Sequence, residues 1–254
     1  MKHTTIQSSQ NATFKALARL LQKSRERKKT QTFVVEGQRE IQRAMANDFA
    51  LKELWIRKGH ESDIQHHPTF VLDGPLYDRI TQRGGSEPVL AVFEDKGDTL
   101  STLALPKNAR VLVAEAPEKP GNLGALLRTA AAVGLDAVLI ANPKTDLYNP
   151  QAIRNSLGGI FSVTVIQDST EAIIDYLKQQ GFFIAAAALH EKSIPYTQCH
   201  YTTPCAVVVG TEATGLQDQW IDAASVCVQI PVQPPIDSLN VSVAAGILVY
   251  HAFQ

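Results

Sequence analysis

From residue 109 onward, short apolar runs alternate with helix-like segments, and no other feature restricts the fold of this chain as much. The runs are ARVLVAE (109–115), DAVLIA (136–141), SVTVI (162–166), FFIAAAAL (182–189), CAVVVG (205–210) and VCVQI (226–230). The first is apolar almost without interruption, as a strand buried on both faces must be. Helical stretches lie near 123–133, 149–157, 169–180 and 215–223, and an apolar last helix follows a junction at 238–240 and runs to Phe253. Strands that alternate with helices in this way imply a parallel sheet with helices on both faces. Ligands then bind beyond the carboxyl ends of the strands.

The first 95 residues read differently. Residues 11–29 (NATFKALARLLQKSRERKK) form an amphipathic helix with Phe14, Leu17, Leu20 and Leu21 on its apolar stripe. Strands are expected at 32–36, 53–58, 70–73 and 88–94, with a helix over 38–46. A small α/β module at 1–95 is the natural summary. The polar stretch 96–108, broken by Gly97 and Pro106, is a linker to the second domain at 109–254. There is no internal repeat.

Composition narrows the function classes. With 44% hydrophobic and 19% charged residues, the 254-residue chain is ordinary globular protein. No apolar run is long enough to span a bilayer, and MKHTTIQSSQNATF lacks the apolar core of a secretion signal, so a cytoplasmic location is expected. Cys199, Cys205 and Cys227 lack C-x-x-C spacing and read as reduced thiols. His60, Glu61, Asp63, His66 and His67 cluster, but their surroundings read as an exposed loop, and no metal site is expected. Trp55 and Trp220 read as packing groups. Residues 1–105 hold 16 Lys+Arg against 13 Asp+Glu, whereas 106–254 hold 8 against 12. The basic excess at the N-terminal end is a phosphate-backbone contact or simply a solvated helix surface.

Three loops leave the ends of expected strands. In PGNLGALLRTA (120–130), Gly121 and Gly124 permit an unusual backbone path, Asn122 offers both donor and acceptor, and Arg128 suits a phosphate near a helix N-terminus or is solvated. In VVVGTEATGL (207–216), Gly210 and Gly215 flank Thr211, Glu212 and Thr214. Glu212 caps its neighbours or faces a pocket. No Lys-Ser or Lys-Thr follows Gly215, and G-x-G-x-x-G occurs nowhere, which excludes a P-loop and the dinucleotide fingerprint. In IPVQPPIDSLNVSVAAGILVY (230–250), Pro231, Pro234 and Pro235 force an extended loop that delivers Ser238 and Asn240 to the start of an apolar helix. By itself the stretch is a proline-rich connection before a core helix, or a stiff polar loop at the mouth of a buried helix, which is how a rigid small-molecule pocket is built.

Taken together, N-L-G-x-x-x-R-T-A, V-G-x-E-x-x-G-L and I-P-x(6)-S-L-N-V-S-V-A-A resemble the three motifs of the SpoU (TrmH) branch of the SPOUT RNA methyltransferases, in order and at the right spacing over 110–254. The N-terminal part, with TFVVEGQREIQRA and PVLAVFE, resembles the substrate-binding domain of many members. The resemblance implies a deep trefoil knot in the C-terminal domain and a homodimer through the knot, with residues of both subunits at each site. It implies methyl transfer from S-adenosyl-L-methionine to a ribose 2′-hydroxyl of RNA, without a metal. The cofactor would lie against Val209, Gly210, Thr211, Gly215, Ile230, Leu239 and Asn240. Asn122, Arg128, Glu212, Ser238 and Asn240 would surround the methyl group and the ribose. Arg25, Arg27, Lys28, Lys29, Arg39 and Arg128 would contact RNA.

The sequence departs from the family pattern in PVQPPIDSLN, with its extra prolines, and in NSLGGIF (155–161); neither change removes a key polar group. Because the chain ends just after the last helix, RNA binding is assigned to residues 1–95 and ribosomal RNA is favoured over transfer RNA. The alternative is an RNA- or ribosome-binding protein that keeps the fold and pocket without turnover.

Overall fold

The computed structural model describes residues 3–66, 68–81, 87–211 and 214–254. The chain divides into two compact units, Met1–Gly97 with Tyr148–Ser162, and Asp98–Leu147 with Val163–Gln254.

In the first unit the chain runs through β1 (Thr4–Ile6), α1 (Ala12–Gln22), α2 (Ser24–Thr30), β2 (Thr32–Glu36), α3 (Gln38–Ala46), β3 (Leu51–Arg57), β4 (Thr69–Leu72), α4 (Gly74–Ile80) and β5 (Val89–Glu94). The strands form one mixed sheet in the order β1-β4-β3-β5-β2. Alternate residues face opposite sides of a strand, and the two faces differ here. Val34, Trp55, Leu72, Leu90 and Val92 pack with Phe14, Leu17 and Leu20 of α1 and with Leu76 and Tyr77 of α4. The ring of Phe33 points the other way.

The expected helix over 11–29 is two helices, interrupted at Lys23, whose backbone is extended (φ −123°, ψ 113°). Arg27 supplies the reason. It is only 5% exposed, and its Nη1 donates to the carbonyls of Leu20 and Leu21 in the last turn of α1. Those carbonyls lack helical partners, and the guanidinium satisfies them.

The second unit opens with β6 (Arg110–Glu115), α5 (Pro120–Val133) and β7 (Ala137–Ala141). The chain then contributes α6 (Pro150–Ser156) and α7 (Gly159–Ser162) to the first unit. There Tyr148 stacks on Phe33 with ring centroids 3.9 Å apart, and Phe161 meets Phe49 edge-on at 5.2 Å. These residues cover the second face of the N-terminal sheet. The sequence pattern alone does not reveal this, because α6 reads as an ordinary crossover between β7 and the next strand.

The second unit resumes with β8 (Thr164–Asp168), α8 (Thr170–Gln179), β9 (Phe183–Ala187), β10 (Ile194–Pro195), β11 (Cys205–Val209), α9 (Asp218–Ala223), β12 (Val226–Gln229) and α10 (Val241–Phe253). Its seven strands are all parallel, in the order β10-β12-β9-β11-β6-β7-β8. This is the parallel α/β sheet expected from the apolar runs. Helices α5 and α10 pack together on one face, while α8 and α9 pack on the other. Every residue of β7 and β11 is buried, which accounts for their unbroken apolar character.

One carboxylate lies inside this core. Glu115, 2% exposed, accepts from Trp220 Nε1 and from Thr170 Oγ1, both at 2.7 Å, and from Asn142 Nδ2 at 3.4 Å. Asn142 also donates to Thr170 Oγ1 at 2.7 Å. The network ties the end of β6 to α8, α9 and the turn after β7. At the opposite end of the same strand, Arg110 donates to the carbonyls of Gly134 and Phe253, both at 3.2 Å, closing the C-terminal ends of α5 and α10.

Candidate functional site

A cavity of about 460 Å³ lies beyond the carboxyl ends of β9, β11 and β12, where the parallel-sheet rule places a ligand. Each of the three strands contributes the loop that follows it. Ala187, Ala188, Leu189 and His190 come from the end of β9; Val209, Gly210, Thr211, Gly215 and Leu216 from β11 and the loop after it; Val228, Ile230, Val232, Ser238 and Leu239 from β12 and the proline-rich loop. The walls are polar and apolar in nearly equal measure, so they offer both apolar surface and groups to orient what binds.

The loop after β11 is closed on itself. Thr211 and Gly215 exchange backbone hydrogen bonds at 3.1 and 3.2 Å, and the Thr211 hydroxyl accepts from Thr214 N at 3.0 Å. A Cβ on Gly210 would sit 2.3 Å from the carbonyl carbon of Gly215, so position 210 admits no side chain. Gly215 adopts a left-handed backbone (φ +68°), which glycine accepts without strain. Glu212 lies outside the described residues, as do Ala213 and His67.

The proline-rich loop ends at Asn240, which caps α10. Its Oδ1 accepts from Ser242 N at 3.0 Å and from Ser242 Oγ at 2.6 Å. Its Nδ2 donates to Asn122 Oδ1 at 3.2 Å. The first and third sequence motifs, 118 residues apart, therefore meet through one side-chain pair. Ser238, between the cap and the cavity, lines the cavity and donates to Asp237 Oδ1 at 3.4 Å.

Of the residues expected to hold the cofactor, Val209, Gly210, Thr211, Gly215, Ile230 and Leu239 line the cavity. Asn240 does not, because its amide turns to Asn122. Arg128 is exposed on α5 and is not among the lining residues. The helix begins at Pro120, three residues earlier than expected, so Arg128 lies in its third turn. At about 100° and 1.5 Å per residue, Asn122 and Arg128 point about 120° apart and are separated by about 9 Å along the axis. Arg25, Lys28, Lys29 and Arg39 are exposed on the first unit, whereas Arg27 is buried in the α1–α2 turn and does not fit the RNA contact expected of it. Sequence reasoning missed Ala187–His190 and Asp218. The strand at 182–189 carried the signal for the first group, since its carboxyl end had to face the ligand; Asp218 had none.

The cavity offers both kinds of contact that a nucleoside-like ligand needs. Apolar side chains from Val209, Ile230, Leu239 and Leu248 offer surface for a flat ring, and the strand-end backbone and Ser238 offer polar contacts. Among the described residues, no group of three or more His, Cys, Asp or Glu is placed to hold a metal ion, and no helix is long and apolar enough to cross a membrane.

A cavity at the carboxyl ends of three adjacent parallel strands, closed by a tight glycine loop and with an asparagine pair beside it, defines a ligand-binding parallel α/β domain. The chain belongs to the SpoU rRNA Methylase family, whose profile matches residues 109–250; residues 11–91 match the MRM3-like substrate binding domain. It is 30% identical over 252 residues to the 23S rRNA (guanosine(2553)-2′-O)-methyltransferase of Bacillus subtilis, covering 97% of this chain and 98% of that one. A crystal structure of an RNA 2′-O ribose methyltransferase superposes with a TM-score of 0.83 at 35% identity, over 98% of each chain. At 23% identity, the AdoMet-bound rRNA methyltransferase of Sinorhizobium meliloti shares the fold with a TM-score of 0.89, over 98% of this chain and 97% of that one.

Proposed function

We propose that this protein transfers a methyl group from S-adenosyl-L-methionine to a ribose 2′-hydroxyl of ribosomal RNA, as a homodimer in the cytoplasm. The observation that carries the reading is the meeting of Asn122 and Asn240 beside a cavity lined by all but one of the cofactor positions that the motifs imply. The full-length likeness to a 23S rRNA 2′-O-methyltransferase supports ribosomal RNA over transfer RNA.

S-adenosyl-L-methionine supplies a methyl carbon already activated by a sulfonium, so the protein has to position the hydroxyl and manage its proton. Asn240 is held rigidly by its two Ser242 contacts and by Asn122. That rigidity suits a group that orients the ribose. Arg128 contacts phosphate and ribose oxygens and polarises the hydroxyl; a guanidinium stays protonated and is not the base.

Dimerisation completes the site. The outward side of α10 leaves Val243 and Tyr250 exposed, and Leu189 and Ile236 are 71% and 57% exposed. A helix apolar all round needs a second partner, and a second copy of this chain supplies it. Arg128, turned away from its own chain's Asn122, would then serve the neighbouring subunit's site. A knot formed by the C-terminal segment belongs to the same reading. Arg25, Lys28, Lys29 and Arg39 contact the RNA backbone from the first unit.

The test is tritium transfer from labelled S-adenosylmethionine to separated, unmodified 23S, 16S and transfer RNA pools, with Arg128→Ala alongside. Label in an alkali-resistant dinucleotide from 23S RNA, lost in the variant, is expected. Cofactor binding without transfer to any RNA or ribosomal particle would sink the enzymatic reading in favour of a binding protein.

A further inference from the structure

Glu115 does not line the cavity, yet it holds together the two segments that shape it. The first is α9. Its six residues are too few to form a stable helix unaided, and only one of them, Trp220, is buried. Asp218 and Ile221, on either side of Trp220, line the cavity, as does Leu216 just before the helix. The indole N–H of Trp220 donates to Glu115 Oε2 at 2.7 Å inside the core. The second segment is the turn from β6 into α5. Ala116, directly after the carboxylate, takes a left-handed backbone (φ +43°) and donates its N–H to Ala141 O at 2.7 Å. Helix α5 starts at Pro120 and carries Asn122, the partner of Asn240, in its first turn. Thr170 and Asn142 also donate to the carboxylate and fix it from α8 and from the turn after β7.

A buried carboxylate is a costly way to gain stability alone, because a well-packed apolar group of similar size often serves as well. What the charge adds is direction: its short hydrogen bonds fix where a donor sits. We propose that Glu115 is a positioning residue for the methyl-donor cofactor, which it does not touch: through Trp220 it sets the α9 wall of the cavity against the turn that carries Asn122. The inference rests on the reading of that cavity as the cofactor site. With one buried side chain in α9, the wall follows the indole. Gln219 also meets Glu171 of α8, but at the surface, where water competes for the contact. The arm of the network that reaches α8 is separable by mutation, since among the described residues α8 contributes nothing to the lining.

The test compares Glu115→Gln, Trp220→Phe, the double variant Glu115→Gln/Trp220→Phe, Thr170→Val and Ile166→Ala in the full-length protein. Ile166 is buried in β8, at the edge of the sheet away from the cavity, and serves as the control for lost stability. The readouts are urea midpoints, calorimetric binding of S-adenosylhomocysteine, and KM for S-adenosylmethionine with 23S RNA, at a temperature where every variant is folded. A misplacement of about 1 Å can cost a positioned site about 10²-fold. We therefore expect S-adenosylhomocysteine affinity to fall at least about tenfold in Glu115→Gln and in Trp220→Phe, with KM rising in step. Thr170→Val and Ile166→Ala should lower the midpoint and leave affinity within about twofold of wild type. The double variant should bind no more weakly than the worse single variant, because both changes break one contact. Affinity within about threefold of wild type in Trp220→Phe overturns the proposal, and that variant decides the matter if Glu115→Gln does not fold. Equal losses of affinity in Ile166→Ala and Glu115→Gln also overturn it, since affinity would then follow stability alone. Wild-type protein that binds S-adenosylhomocysteine but methylates no RNA overturns the methyltransferase reading and leaves the affinities to decide the role of Glu115. Wild-type protein that binds no S-adenosylhomocysteine overturns the cofactor site and this inference together.

Discussion

The buried carboxylate of Glu115 offers the sharpest quantitative test of the fold around the site. Two donors meet its Oε2 at 2.7 Å and a third approaches Oε1 at 3.4 Å. Hydrogen bonds to an ionised group are about twice as strong as neutral ones, with a net contribution of about 1.5–3 kcal/mol each. Glu115→Gln keeps the shape but removes the charge and sets an amide NH₂ against at least one existing donor. Weakening two short bonds by about 1 kcal/mol each, and losing the third, gives a destabilisation of about 2–3 kcal/mol. Glu115→Ala leaves the Trp220 N–H and Thr170 O–H buried without an acceptor, at about 1–3 kcal/mol each, and adds a cavity; about 4 kcal/mol or more is expected. Urea unfolding followed by circular dichroism gives both values, and Trp220 emission reports the local environment. Thr170→Val should cost about 1 kcal/mol less in the Glu115→Gln background than alone, since the partner is already impaired. If Glu115→Gln shifted stability by less than about 0.5 kcal/mol, the network would be incidental and the reasoning wrong.

Other consequences are equally open to measurement. Lys28→Ala and Lys29→Ala should each weaken RNA binding and reduce the slope of log affinity against log salt by about 1, with stability unchanged; Arg27→Ala should instead lower the unfolding midpoint, because it uncaps α1. The Cys205 thiol is pushed up to about 12, chiefly by burial and secondarily by Cys199, so iodoacetamide at pH 8 should leave it unmodified until the protein unfolds. The folded state holds that proton more tightly than the unfolded one, so this contribution to stability is complete below about pH 8.5 and falls as pH rises towards 12. Tyr148→Ala should destabilise the first unit by about 3–5 kcal/mol by removing the ring stacked on Phe33, read as a fall in the protection of β2 amides from hydrogen exchange.

What was legible in the sequence follows physical lines. The parallel sheet was readable because burial on both faces makes strands such as VLVAE and CAVVV uniformly apolar, and the cavity followed from the carboxyl-end rule. The cap at Asn240 was readable because a short polar side chain preceded an apolar helix. Long-range partnership was not readable. Nothing local in TFVVE tells that Phe33 is covered by Tyr148, and nothing in VLVAE tells that its glutamate is held by Trp220. The α1–α2 break escaped for the same reason: RERKK has good helix formers, and it is the reach of Arg27 back to Leu20 that ends the first helix.

The borrowed helices α6 and α7 also govern how the chain can be made and cut. Translation delivers β5 well before Ser162, so the nascent N-terminal sheet waits with Phe33 and Phe49 uncovered until the later segment emerges. Exchange of the first 97 residues between relatives by recombination would bring a sheet without its own cover, so α6 and α7 would have to travel with it.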